Sequence, residues 1–164
     1  MPDVQIIRGY IPGSIGRVAE MHGTYYHRHW DFGLFFEAMV ATDLATILSR
    51  YNEQRDGFLT AVVKGSIEGS IVIDGANAVA EGAHLRMFIV SDALRGKGVG
   101  NQLLDAAIDF CRSAGHGRVC LWTFEGLNAA RHLYEKYGFR LVDQQKGARW
   151  GLEVNEQRFE LILS

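Results

Sequence analysis

The sequence has little of what would mark a secreted, membrane-bound or nucleic-acid-binding protein. It holds two cysteines in 164 residues, Cys111 and Cys120. Both stand in apolar runs, so no disulfide framework is suggested and both read as core thiols. No apolar run approaches membrane-spanning length. The opening residues, Met-Pro-Asp-Val-Gln-Ile-Ile, lack the charged start and long apolar core of a signal peptide. Positive charge is not in excess either. Lys and Arg number 17 against 19 Asp and Glu, a formal net charge of -2 that offers no footprint for nucleic acid. The expected compartment is therefore the cytoplasm. Repeats and low-complexity segments are missing, and 48% hydrophobic with 22% charged residues suits one globular domain spanning residues 1–164.

What is present is concentrated between Leu85 and Leu104. Residues 85–90, Leu-Arg-Met-Phe-Ile-Val, form a short run of strand formers, while Val99, Leu103, Ala107, Ile108 and Cys111 recur at helical spacing. Between them, Arg95-Gly96-Lys97-Gly98-Val99-Gly100 would set backbone N–H groups at a helix N-terminus. Unpaired donors and the helix dipole favour an anion such as phosphate there. A Walker A loop needs Gly, four residues, then Gly-Lys-Ser/Thr, and no such frame exists. Gly96, Gly98 and Gly100 give G-x-G-x-G rather than the dinucleotide fingerprint G-x-G-x-x-G, and no acidic residue follows at the required distance on a second parallel strand.

The frame that fits is Arg95-x-x-Gly98-x-Gly100, which resembles the pyrophosphate loop of the GNAT N-acetyltransferase superfamily. A second stretch, Leu127-Asn128-Ala129-Ala130-Arg131-His132-Leu133-Tyr134-Glu135-Lys136-Tyr137-Gly138-Phe139, resembles that superfamily's Asn-x-x-Ala-x-x-Leu-Tyr-x-x-x-Gly-Phe signature. Ala130, Leu133, Tyr134, Gly138 and Phe139 fall in register. The family's asparagine position is Leu127 here, and Asn128 stands one place late, as a cofactor contact or as an N-cap. The resemblance covers nearly the whole chain and is motif-specific over residues 85–142. Within the superfamily the chain is most similar to the GNAT half of MarR-GNAT fusion proteins, through His22-Gly23 to Tyr26 running into Phe36-Glu37, through Leu85-Arg86, and through Leu121-Trp122-Thr123. The fold implied is α/β, in the α+β sense: the GNAT acyl-CoA N-acyltransferase fold, a mixed, mostly antiparallel central sheet of about seven strands flanked by four helices.

Patterning supports that order. A strand over 4–10 ends at Pro12-Gly13. A helix over Ser14–Trp30, with Ser14 as N-cap, carries a stripe of Ile15, Val18, Ala19, His22, Tyr25, Tyr26 and His29. The next helix, 34–50, sets Leu34, Ala38, Ala41, Ala45 and Leu48 on one side, with Phe35 and Met39 beside them. A hairpin over 58–63 and 66–73 follows, then a loop over 75–82. Further strands are expected over 119–123, 139–142 and 158–163, with a helix over 127–137.

The resemblance also implies roles. Acetyl-CoA would be the cosubstrate, its pantetheine arm beside backbone groups of Phe88, Ile89 and Val90 and its pyrophosphate on Arg95, Gly96, Lys97, Gly98, Val99, Gly100 and Asn101. Asn128 is a further cofactor candidate. Tyr134 would be the general acid, with packing as its competing role. His84, six residues before Val90 and of one strand parity with Arg86 and Phe88, is the candidate base, with Glu81, Glu125 or water as alternatives. Arg86 is costly in an apolar strand unless paired, so it binds an acceptor carboxylate or a protein acid such as Glu37 or Glu160. Tyr26, Trp30 and Phe36, with Tyr25, would wall the acceptor pocket. His22, His27 and His29 do not share ligand spacing, and no metal is expected. The implied activity is transfer of acetyl to the primary amine of a small or amino-acid-like molecule in a ternary complex. A non-enzymatic acyl-CoA-binding regulatory module and a peptide or protein N-terminal acetyltransferase are the alternatives. The expected partner is a small-molecule amine, not nucleic acid or membrane, with a homodimer left open.

Overall fold

The computed structural model describes residues 3–163. Its elements run β1 (Gln5–Arg8), α1 (Ser14–Trp30), α2 (Leu34–Ser49), β2 (Gly57–Val63), β3 (Ser66–Asp74), α3 (Ala78–Glu81), β4 (Ala83–Val90), α4 (Val99–Ala114), β5 (Arg118–Phe124), α5 (Asn128–Lys136), β6 (Arg140–Gly147) and β7 (Val154–Ile162). The strands form one seven-stranded sheet in the order β1-β2-β3-β4-β5-β7-β6. Only β4 and β5 run parallel, so the sheet is mixed and mostly antiparallel. One feature is added to the expected order: α3, a single exposed turn in the stretch read as a loop, too short to leave a helical period in the sequence.

The apolar alternation of the strands buries both sheet faces. On one face, α1 and α2 cover Phe58, Val62, Val72 and Ile89 with Val18, Met21, Leu44 and Ile47. On the other, α4 and α5 cover Ile71, Ile73, Leu85, Leu121 and Phe159 with Leu103, Leu104, Ile108 and Tyr134. Cys111 and Cys120 are free and buried in these layers, and burial pushes the Cys111 thiol up to about 12.

Three local expectations need correction. The cap of α1 is Gly13 at φ 88, not Ser14, whose hydroxyl is buried in the first turn with no partner among the described residues. In α2 the core face is Phe36, Val40, Leu44 and Ile47, whereas Leu34 and Phe35 are exposed. This helix is apolar nearly all round, so its period does not choose a face. The last two strands are longer than their apolar cores, because the polar residues of β6 and β7 pair with each other at the sheet edge, as in Gln144↔Gln157 and Lys146↔Asn155. One face of an antiparallel edge tolerates water, so polar residues suffice there.

Candidate active site

The centre of the site is an irregularity in β4. Arg86 pairs with Val72 and Ile89 with Ser70, so Met87 and Phe88 together oppose the single residue Ile71. This is a β-bulge. Met87 takes φ 51, an uncommon conformation for a residue with a side chain, and its carbonyl accepts a 2.6 Å hydrogen bond from the Ser70 hydroxyl. The extra residue reverses the side-chain alternation. His84 and Arg86 share the α1/α2 face with Ile89, while Phe88 and Val90 turn to the α4 face with Leu85. The expectation that Phe88 shares a face with His84 and Arg86 is therefore corrected: a bulge moves everything after it by one position.

Beyond the bulge the sheet opens. β4 and β5 pair only at Ala83↔Val119 and His84↔Cys120, after which β5 continues on β7 as far as Phe124↔Glu156. A cavity of about 320 Å³ occupies the parting and is lined from both sheet faces. Tyr134, Ala130, Leu85 and Phe88 contribute from the α4/α5 side; His22, Tyr26, Phe36, Met39 and Asp43 from the α1/α2 side; His84, Arg86 and Trp122 from the strands; and Arg149 and Trp150 from the β6–β7 loop.

Tyr134 is held by the short helix α5, its ring near Phe88, Phe139 and Phe159 at centroid distances of 6.1, 5.7 and 6.2 Å. It is 6% exposed, its hydroxyl makes no hydrogen bond among the described residues, and burial holds its pKa above the ordinary phenol value. The phenol is thus protonated throughout the neutral range and free to donate. His84 is pushed down to about 4, chiefly by burial and then by the positive charges of Arg86, Arg149 and Arg158 against the opposing field of Asp74. It is neutral at pH 7.

Arg86 pairs with neither Glu37 nor Glu160. Its Nη1 stands 3.8 Å from Asp43, too far for a hydrogen bond. Tyr26 and Phe36 line the cavity, their rings 5.0 Å apart. Trp30 does not. Its ring lies edge-on to Phe124 at 4.9 Å and covers Gly126, a support behind the wall rather than part of it. Glu81 and Glu125 are outside the lining as well.

The glycine turn sits at the C-terminal end of β4. Gly98, at φ 80, is the residue before α4, which has no side-chain cap, so the N–H groups of its first turn are available to an anion. Gly96 also has positive φ, at 75. Backbone rather than side chains makes this surface. Val99 is buried in the core, the Asn101 carboxamide oxygen accepts from Lys136 at 3.3 Å, and Lys97 is exposed. Arg95 is turned away from the loop: it donates to Asp92 at 2.8 Å and lies 4.1 Å over the Tyr25 ring. Ile89, Val90 and Arg95 border a separate, smaller hollow with Arg28 and Ser91. Asn128 is exposed at the first turn of α5 and does not cap it; Leu127 holds that position.

Sequence reasoning missed three contributors. His22 was read as part of a stripe and of the resemblance and set aside as a metal ligand, yet its ring is 5% exposed and faces the cavity, and Nδ1 lies 2.8 Å from the Val18 carbonyl. A carbonyl only accepts, so Nδ1 carries the hydrogen and Nε2 is a bare acceptor. Burial lowers this imidazole to about 4. Arg149 and Trp150 stand in a stretch given no assignment; the only signal was an Arg-Trp pair between Gly147 and Gly151. Among the described residues no cluster of His, Cys, Asp or Glu could hold a metal, and no helix is long and apolar enough to cross a membrane.

The model of the acetyltransferase (GNAT) family matches residues 17–139, and the chain belongs to that family. Among solved structures it is similar to a GNAT-family acetyltransferase of Staphylococcus aureus Mu50, at 19% identity and TM-score 0.80, covering 99% of this chain and 100% of that one. It is also similar to yncA of Salmonella typhimurium, solved with its cofactor acetyl-CoA, at 17% identity and TM-score 0.78, covering 99% and 95%. A curated relative, "Probable N-acetyltransferase camello" of Xenopus tropicalis, is 25% identical over 132 residues, or 80% of this chain; the chain spans 60% of that relative's length.

Proposed function

We propose that this protein transfers an acetyl group from acetyl-CoA to the primary amine of a small, amino-acid-like acceptor, by direct attack within a ternary complex. The observation that carries the reading is the Tyr134 hydroxyl, without a partner among the described residues, on a residue that lines the cavity where β4 and β5 part. A phenol that faces a cavity and is not engaged by the protein is free to donate to a bound molecule.

The chain's own groups fit acetyl-CoA. The first-turn N–H groups of α4 and the positive-φ glycines suit a pyrophosphate, and the unpaired edge of β4 suits an extended amide-bearing arm. When bound, the cosubstrate supplies an activated acetyl thioester. Tyr134 then holds the proton that a departing thiolate needs, and returns to the phenol by taking one from water. His84 accepts a proton from the attacking amine, being neutral at working pH, and His22 offers a second bare nitrogen to the same space. Arg86, without a hydrogen-bonded partner of its own, takes an anionic group of the acceptor. The cavity is of small-molecule size and is lined by α2 and the Arg149–Trp150 loop, which supports a small acceptor.

The cosubstrate assignment is tested by Gly98→Asp, which adds a negative charge at the uncapped start of α4. Titration calorimetry should show CoA affinity falling at least about 10-fold in a variant with native circular dichroism. Unchanged affinity overturns the assignment. With binding established, a panel of amines and N-terminal peptides, read by free-thiol release, should show turnover with small amines rather than peptides.

A further inference from the structure

Two guanidinium groups, not one, border the acceptor side of the cavity. Arg149 enters from the β6–β7 loop, and its position is fixed from two directions. Its backbone N–H and its Nε donate to the buried carboxylate of Glu156 at 3.0 and 3.3 Å. Its guanidinium lies 4.0 Å over the ring of Trp122 and 5.8 Å from that of Trp150. The inner nitrogen is thus used up by the protein, while both terminal nitrogens make no hydrogen bond among the described residues. A guanidinium anchored through Nε and stacked on an aromatic face presents those terminal N–H groups as a rigid fork, the geometry that matches a carboxylate. Arg86 likewise makes no hydrogen bond among the described residues, with only the loose 3.8 Å approach to Asp43.

The two arginines act on one region. Trp122, under Arg149, shares the α1/α2 sheet face with Phe124, and His84 and Arg86 lie on that face of the neighbouring strand. Both guanidinium groups register in the field at His84. Around them the lining is apolar and aromatic: Phe36, Met39, Phe124 and Trp150. Paired cations set among aromatic walls describe a molecule with a carboxylate and a large apolar body.

We propose that Arg149 is a specificity-determining residue which, with Arg86, clamps the acceptor's carboxylate, so that the acceptor class is free amino acids with large apolar or aromatic side chains. This rests on the acetyl-transfer reading above. The amine of such an acid forms a C–N bond to the acetyl carbon as the C–S bond breaks, one amine proton leaves through His84 or water, and the thiolate takes one from Tyr134. The charged carboxylate stays on the clamp and the side chain lies against Phe36, Met39, Phe124 and Trp150. Asp43 stands beside Arg86 and acts against acceptors carrying a second acid group there.

The test compares L-phenylalanine with L-phenylalaninamide, which keeps the amine and ring and removes the negative charge. Free-thiol release with acetyl-CoA should give a kcat/KM for the acid at least about 10-fold above that for the amide. Arg149→Gln and Arg86→Gln should each raise the KM of the acid about 10-fold or more, leave the amide nearly unaffected and keep the wild-type CoA affinity; Arg86→Gln should also keep the melting temperature, whereas Arg149→Gln lowers it because buried Glu156 loses the Nε donor. Equal use of acid and amide by the wild type, or an Arg149→Gln enzyme with unchanged KM for the acid, overturns the clamp while leaving acetyl transfer standing. If no amine is turned over and CoA does not bind, acetyl transfer is what fails. In that case calorimetry with the two phenylalanine compounds still decides the clamp: acid-selective binding lost in Arg149→Gln supports it, and equal or absent binding overturns it.

Discussion

Replacing Tyr134 by Phe removes one oxygen atom and separates the residue's two candidate roles. The ring is 6% exposed and packs against Phe88, Phe139 and Phe159, contacts that a phenylalanine ring keeps. Its hydroxyl has no partner among the described residues, so deletion orphans no buried donor or acceptor in the protein. Stability should change by no more than about 1 kcal/mol, the net worth of a hydrogen bond that is not made here. The reaction should respond differently. General acid catalysis is worth about 100- to 10,000-fold, or roughly 3–5 kcal/mol on the barrier. Acetyl-CoA affinity by calorimetry and the melting temperature should stay near wild type while kcat, followed by free-thiol release on the best acceptor, falls by that factor. A variant with full turnover returns Tyr134 to packing alone, and a kcat loss matched by a large drop in melting temperature would show the ring, not the proton, to be the sensitive part.

His22 links the site to acid stability. Its folded pKa is about 4 against 6.5 for the free side chain, so between those values the unfolded chain binds the additional proton and stability falls as pH drops from about 6.5 towards 4. The loss attributable to His22 is roughly 3 kcal/mol at most. Urea midpoints of His22→Leu across that range should fall less steeply than wild type, with His84 supplying the remaining slope in the same direction, and parallel curves would refute the assignment. At Gly126, φ is 115 and an added methyl group would run into the Trp30 ring, so Gly126→Ala should lose at least about 1–2 kcal/mol in denaturant and disturb near-ultraviolet circular dichroism. A silent substitution there would contradict the role given to Trp30.

Legibility in the sequence follows physical rules that differ along the chain. The α1 bounds and the α4 core face were readable because polar residues interrupt their apolar stripes and leave only one side to bury. α2 offered Leu34, Phe35, Phe36, Met39 and Val40 on every side, and tertiary contacts made the choice. Tyr134 was singled out only through the resemblance, whose signature it shares with Gly138 and Phe139. Phe88 could not be oriented, since one additional residue in a strand leaves composition and alternation looking regular while turning every later side chain over. Arg149 and Trp150 were hidden for another reason. They follow Asp143, Gln144, Gln145 and Lys146, a solvated edge with no apolar signature, and reach the cavity only because β6 folds back along β7.

The bulge at Met87 depends on chain length more than on residue identity. Many side chains at position 87 would preserve the count, whereas deleting the residue would let β3 and β4 zip together in an unbroken ladder. Phe88 would stay on the α4 face and Ile89 in the α1/α2 layer, because without residue 87 the run Leu85, Arg86, Phe88, Ile89, Val90 alternates onto the faces it already occupies. Arg86 and everything before it would stay in place. A single codon's absence would thus remove the bulge, and with it the Met87 carbonyl that accepts from Ser70, while leaving every later side chain of β4 on its present face.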